Sequence, residues 1–173
     1  AYGPSSGTMA GAAAERAQPS IFQVQFSDDG KRLAYGMFEG SKPGMIVDGK
    51  QIGLQEMYGF DFIFSPDASD YATMMWDGTK RWVLTAKHPP MEIDGVADWS
   101  LTFSPDSQHL AFGGVKDGKR AIWLDGKPAP CDLAFREGPN GKGILFSPDS
   151  KRLAFMIRTE TAMHWVVDGK AEA

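Results

Sequence analysis

Aspartate is the residue through which this chain could do chemistry. Asp29, Asp67, Asp106 and Asp149 each end a four-residue phrase, and Asp48, Asp125 and Asp168 each open the triplet Asp-Gly-Lys. Carboxylates on a regular spacing suit calcium, a hard cation that takes oxygen ligands. A calcium loop needs alternating acidic residues with a distal Glu, however, and no Asp-x-Asp-x-Asp-Gly stretch is present. Each of these aspartates is better placed to bond its own backbone and form a turn. The histidines, His88, His109 and His164, have no second His or Cys at zinc-ligand spacing. Cys131 is the sole cysteine, which excludes an internal disulfide and a thiolate zinc site. Gly40-Ser41-Lys42-Pro43-Gly44 has the wrong spacing for a nucleophile elbow, and no phosphate-cradling glycine loop occurs. The sequence predicts no catalytic residue, no metal and no cofactor.

Composition narrows the remaining classes. Net charge is −4, with Lys and Arg scattered singly among the acids, so there is no basic stripe for nucleic acid. No run approaches the roughly 18 apolar residues of a membrane helix. Hydrophobic residues make up 42% of 173, enough for a packed core.

The aspartates lie on a ruler. Phe26-Ser27-Asp28-Asp29, Phe64-Ser65-Pro66-Asp67, Phe103-Ser104-Pro105-Asp106 and Phe146-Ser147-Pro148-Asp149 begin four copies of one unit. Twenty-two residues beyond each Phe stand Asp48, Ala86, Asp125 and Asp168, and the Phe-to-Phe spacings are 38, 39 and 43. Such a period marks a repeat architecture. Each unit reads as an apolar strand up to Phe, a Ser-Pro-Asp turn, a second strand, a hairpin turn and a third strand closed by Asp-Gly. The third strands are Gly44–Val47, Arg81–Leu84, Arg120–Leu124 and Met163–Val167. Asp77-Gly78 and Asp117-Gly118 are type I′ hairpin signals. A fourth strand is expected over 54–58, 91–93 and 133–136. An alanine stands eight residues after every Phe, at Ala34, Ala72, Ala111 and Ala154. A small residue kept at one position predicts a tight contact between layers.

A four-stranded sheet of about 40 residues is the blade of a β-propeller. The expected fold is all-β: about four four-stranded blades over 21–173, with copies beginning near 21, 60, 99 and 142. Residues 1–20 form an arm or partial blade. Ala1-Tyr2-Gly3 matches Ala34-Tyr35-Gly36, so the chain is expected to start inside a blade. Its last copy stops after the third strand. These ends predict an open or partial ring that more chain or another copy would complete, with a closed four-bladed ring as the alternative.

Residues 146–155, Phe-Ser-Pro-Asp-Ser-Lys-Arg-Leu-Ala-Phe, with Trp-Val-Val-Asp-Gly-Lys at 165–170, resemble the TolB-like, WD40-like propeller repeat. The resemblance covers residues 21 to 170. Two departures stand out: Ala68, Ser107 and Ser150 replace the turn glycine of that repeat, and Ala86-Lys87 replaces one Asp-Gly. The resemblance implies a bacterial protein in the periplasm or outside the cell.

A propeller without catalytic residues is expected to act as an interaction module for protein partners or for copies of itself. The alternatives are the gating propeller of a hydrolase, and a carbohydrate or small-ligand receptor at the channel mouth. Loops converging on that mouth place Glu56, Tyr58, Asp61, Asp98, Trp99, Arg136, Glu137, Asn140 and Lys142 as candidate partner contacts. They mix aromatics with both charge signs, as protein-contact surfaces do.

Overall fold

The computed structural model describes residues 20–39, 42–53, 58–96, 100–130, 134–135, 143–158 and 162–171. They contain four antiparallel sheets and no helix. Blade 1 comprises β1 (Ser20–Phe26), β2 (Leu33–Glu39), β3 (Lys42–Val47) and β4 (Lys50–Ile52). Blade 2 comprises β5 (Tyr58–Phe64), β6 (Tyr71–Trp76), β7 (Arg81–Thr85) and β8 (Met91–Ile93). Blade 3 has β9 (Gly95–Val96), β10 (Thr102–Phe103), β11 (Leu110–Lys116), β12 (Lys119–Leu124) and β13 (Lys127–Pro130). Blade 4 has β14 (Ala134–Phe135), β15 (Ile144–Phe146), β16 (Leu153–Arg158), β17 (Met163–Val167) and β18 (Lys170–Ala171). In blades 3 and 4 the first strand comes in two pieces, and both pair with the second strand.

The residue three before each Phe explains that division. In blades 1 and 2 it is Gln23 (φ 49°) and Asp61 (φ 56°), and the register with the second strand breaks there. An extra residue on one strand makes a β-bulge, which bends the strand. In blade 3 the position holds buried Ser100, whose Oγ accepts the Gly113 amide at 3.1 Å in place of a ladder bond.

The turns follow the ruler, with corrections. Asp48-Gly49, Asp117-Gly118, Asp125-Gly126 and Asp168-Gly169 have positive φ at both residues, the type I′ signature. Asp77-Gly78 does not form this turn. Four residues connect Trp76 to Arg81, and the Asp77 carboxylate accepts the amides of Thr79 and Lys80 at 2.8 and 2.7 Å. The fourth strands are also displaced from expectation except at Met91–Ile93. They follow the Asp-Gly turns directly, as Lys50–Ile52 and Lys127–Pro130. Tyr58 and Ala134–Phe135 belong instead to the first strands of the next blades.

The core lies between the sheets. Ala34, Met45 and Val47 of blade 1 pack on Phe62, Phe64 and Met75 of blade 2. Ala72, Met74 and Val83 of blade 2 pack on Leu101, Leu110 and Phe112 of blade 3. Ala111 and Ile122 of blade 3 pack on Ile144, Phe155 and Ile157 of blade 4. Blades 2 and 3 thus each offer one flank to the blade before and the other to the blade after. Ala34, Ala72 and Ala111 are fully buried at these contacts, as the alanine spacing requires. Ala154, on the following flank of blade 4, is half-buried.

Candidate functional site

The repeated phrase builds one rim of every blade. The serine after Phe donates its hydroxyl to the Asp two residues on: Ser27 to Asp29 (2.7 Å), Ser65 to Asp67 (2.7 Å), Ser104 to Asp106 (2.6 Å) and Ser147 to Asp149 (2.5 Å). The same oxygen accepts the amide five residues ahead, from Arg32, Asp70, His109 and Arg152. These bonds favour the charged carboxylate. The Ser27 hydroxyl and the Lys31 amide hold Asp29 below the usual carboxylate range. The Ser69 amide, with the Ser65 and Ser69 hydroxyls, does the same for Asp67. Asp106 is lowered by Ser104 and the Gln108 amide, and Asp149 by Ser147 and the Lys151 amide. The aspartates are turn locks, each with its Oδ1 already engaged.

The second ruler mark is an ion pair. Arg32 Nε reaches Asp48 Oδ2 and Arg152 Nε reaches Asp168 Oδ2, both at 2.8 Å. His109 Nδ1 lies 2.8 Å from Asp125 Oδ2 in the same slot. This His–Asp pair is therefore the blade 3 version of a repeated turn lock. It is not an isolated dyad.

Contacts between blades reuse these residues. The Arg32 guanidinium sits 5.0 Å above the Phe64 ring of the next blade and donates from a terminal nitrogen to the Ala68 carbonyl at 2.8 Å. The His109 ring stacks on Phe146 of the next blade at 6.3 Å. Ser107 Oγ accepts the Asp67 amide of the preceding blade at 3.0 Å, and Ser150 Oγ accepts that of Asp106 at 3.0 Å. This explains two missing glycines. Ser107 (φ 63°) and Ser150 (φ 62°) occupy the left-handed region, where Gly would be easier, and their hydroxyls clasp the neighbouring blade. Between these clasps run two grooves. One, of about 640 Å³, includes Asp70, His88, Phe103 and His109; the other, of about 440 Å³, includes His109, Phe146, Arg152 and Asp168.

Among the described residues, the most exposed apolar surface is a flank. Ile21, Val24 and Phe26 of β1 are 61%, 59% and 61% exposed. Register places them on one side of blade 1, opposite Met37, Tyr35 and Leu33. The equivalents of Phe26 and Val24 in blade 2 are Phe64 and Phe62, and Phe62 is 3% exposed because blade 1 covers it. Residue type does not distinguish Phe26 from Phe64. The difference is whether a neighbouring blade covers the flank. At the far end, Leu145 and Met163 of blade 4 are 40% and 51% exposed.

Of the sequence-derived contact residues, Asp61 and Tyr58 are among the described residues. Asp61 is buried at the β5 bulge, and its Oδ2 accepts the Leu101 amide of blade 3 at 3.4 Å. Tyr58 begins β5. Glu56, Asp98, Trp99, Arg136, Glu137, Asn140 and Lys142 lie outside the described residues.

No family model matches the chain. No curated protein matches it. Solved structures do. The β-propeller domain of the trilobed protease from Pyrococcus furiosus is 13% identical, with a TM-score of 0.58 over 89% of this chain and 56% of that one. TolB from Acinetobacter baumannii is 17% identical, with a TM-score of 0.48 over 86% and 40%. The acylaminoacyl peptidase of Pyrococcus horikoshii is 13% identical, with a TM-score of 0.48 over 89% and 32%. The chain thus spans little more than half of the first of these and less of the others. The stacked four-stranded sheets and the likeness to the P. furiosus domain give this chain the β-propeller fold.

Proposed function

We propose that this chain is a non-catalytic propeller module that binds protein through the open flank of blade 1. One observation carries the reading: Ile21, Val24 and Phe26 form an exposed apolar row on a sheet face whose counterpart in blade 2 is a buried contact. Contiguous exposed apolar surface on a folded domain marks an interaction site. Fully burying each such side chain is worth about 1.5–3 kcal/mol. The P. furiosus propeller domain has an open velcro topology, which supports an unlaced edge as workable in this fold. The His109–Asp125 pair supports the non-catalytic half, since it fills a slot used elsewhere by Arg–Asp turn locks. Tyr58 with Glu56, Asp98, Trp99, Arg136, Glu137, Asn140 and Lys142 remain a second proposed contact surface, from which buried Asp61 is withdrawn, and placement outside the cytoplasm rests on the repeat resemblance.

The test uses the purified chain and the double variant Val24→Lys, Phe26→Lys. Both positions are exposed, so the variant is expected to fold. In dilute solution, where the chain is monomeric, an amphipathic dye such as anilinonaphthalene sulfonate should bind wild type and lose most of its signal with the variant. Equal dye binding would remove the flank as the docking surface. Turnover of a p-nitrophenyl ester or a lactone by the chain would overturn the non-catalytic assignment.

A further inference from the structure

The three internal contacts define what a blade 1 flank is shaped to receive. Each joins the following flank of one blade to the preceding flank of the next. The following flank supplies a buried alanine eight residues after Phe, then apolar residues from the second and third strands: Ala34 with Met45 and Val47, Ala72 with Met74 and Val83, Ala111 with Ile122. In two of the three, the residue six after Phe also lies over the Phe ring of the next blade, as Arg32 on Phe64 and His109 on Phe146.

Blade 4 carries the same following flank. Ala154 and Met156 stand on β16 at the positions of Ala72 and Met74, and Trp165 stands on β17 at the position of Val83. Leu145 corresponds to Ile63, which packs into the contact between blades 2 and 3, yet Leu145 is 40% exposed. Arg152 repeats Arg32, down to the 2.8 Å bond from Nε to the Asp of the third-strand turn. Blade 1 carries the complementary preceding flank, with Phe26 at 61% exposure where Phe64 and Phe146 receive their cation or imidazole.

We infer that the partner of the blade 1 flank is blade 4 of a second copy of this chain. In this junction Leu145, Ala154 and Trp165 of one copy pack on Val24, Phe26 and Tyr35 of the other, and Arg152 lies over Phe26 as Arg32 lies over Phe64. The junction extends an interface that the chain already makes three times. It is heterologous, because two different surfaces meet, so two copies close only by making it twice. The inference rests on the flank reading above and adds the identity and polarity of the partner.

Mixing two blocked variants tests it. Phe26→Lys places a cation opposite Arg152 and blocks the preceding flank. Leu145→Lys blocks the following flank. Both positions are exposed, and unchanged melting at low concentration would show that the variants fold. In sedimentation velocity with the full chain, wild type should shift with rising concentration from 18.9 kDa towards twice that mass or more, and each variant should stay a monomer. An equimolar mixture should form a one-to-one dimer through the single intact junction. Self-association of Leu145→Lys with loss of association by Phe26→Lys would keep the flank as a docking site but overturn the polarity. Wild type that remains a monomer at every concentration, or a mixture that does not dimerise, would overturn the inference. Equal dye binding by wild type and the Val24, Phe26 variant, at a concentration where both sediment as monomers, would sink the flank reading itself.

Discussion

Asp70 Oδ1 accepts the amide of Ala86 across its hairpin at 2.8 Å. In the other three blades the carboxylate sits at the opposite end: Asp48, Asp125 and Asp168 accept the amides of Leu33, Leu110 and Leu153. Blade 2 has therefore exchanged the two ends of one lock, which accounts for the single missing Asp-Gly. Asp70 is buried and also takes the Tyr71 amide at 2.8 Å. Asp70→Ala leaves both amides without that acceptor and should cost about 1–3 kcal/mol. Ala86→Asp alone brings two carboxylates together and should also destabilise. The double change Asp70→Arg, Ala86→Asp rebuilds the pair of blades 1 and 4. It should recover much of the loss, with a coupling of about 0.5–3 kcal/mol. Urea melts of wild type, Asp70→Arg, Ala86→Asp and the double variant measure this cycle, and additive effects would refute the exchange.

Ala68 and Ser107 separate backbone strain from clasping. Both have left-handed φ, at 59° and 63°, and both are buried, but only Ser107 has a hydroxyl to accept a neighbouring amide. A left-handed residue with a Cβ costs roughly 1–2 kcal/mol. Glycine relieves that cost and gives back about 0.4–1 kcal/mol through the freedom of the unfolded chain. These contributions are shared by Ala68→Gly and Ser107→Gly and cancel in the comparison. Ser107→Gly should be the worse of the two by about 0.5–1.5 kcal/mol, the net value of its hydrogen bond. Equal stabilities in denaturant melts would show that the clasp contributes nothing.

The fold was legible wherever backbone bonding and burial act together. The distance from Phe26 to Asp48 spans three strands and their turns. A slip of one residue would turn Ala34 and Val47 out of the contact with blade 2. The fourth strands Lys50–Ile52 and Lys127–Pro130 carry no apolar run that would mark them in the sequence. Lys50–Ile52 and Lys127–Pro130 pair on one side only, so most of their side chains need no apolar character. Asp77-Gly78 carries the same dipeptide signal as Asp117-Gly118, but its carboxylate captures the amides of Thr79 and Lys80 and opens a longer loop.

The site was less legible for a different reason. Phe26 and Phe64 are the same residue in the same local phrase, and only a neighbouring blade decides which one water touches. Asp61 read as a loop acid because Asp is rare inside strands. The bulge makes room for it by turning the backbone to φ 56°. Neither fact is encoded in local residue type.

Ala111 and Ala154 occupy equivalent places on either side of that distinction. Ala111 is fully buried between blades 3 and 4, whereas Ala154 is half-buried on the flank with no following blade among the described residues. Ala111→Trp must force the two sheets apart, and overpacking of this kind costs about 1–3 kcal/mol or more. Ala154→Trp should cost well under half as much in dilute solution. Thermal melts at low concentration compare the two, and a similar loss for both would refute the flank assignment of blade 4.

Acid should loosen the rim before it reaches the core. Asp29, Asp67, Asp106 and Asp149 all have carboxyls held below the ordinary aspartate range by serine hydroxyls and backbone amides. Asp77 is lowered to about 2, chiefly by the Lys80 amide and then by Thr79. A carboxyl whose folded pKa is depressed stabilises the fold fully above its unfolded pKa. That contribution disappears as pH falls through the folded value. Melting temperature should therefore hold from neutrality to about pH 4 and then drop steeply. Charge repulsion among Lys and Arg adds to any such drop, so the wild-type curve alone does not isolate the turn locks. Asp77→Asn separates the two effects, because it changes net charge by one while removing the titrating group. The variant should be less stable than wild type at pH 7, and the gap should close towards pH 2, where Asp77 itself becomes neutral. A gap that stays constant across that range would mean that the Asp77 carboxylate stabilises its turn by shape alone, with no contribution from its charge.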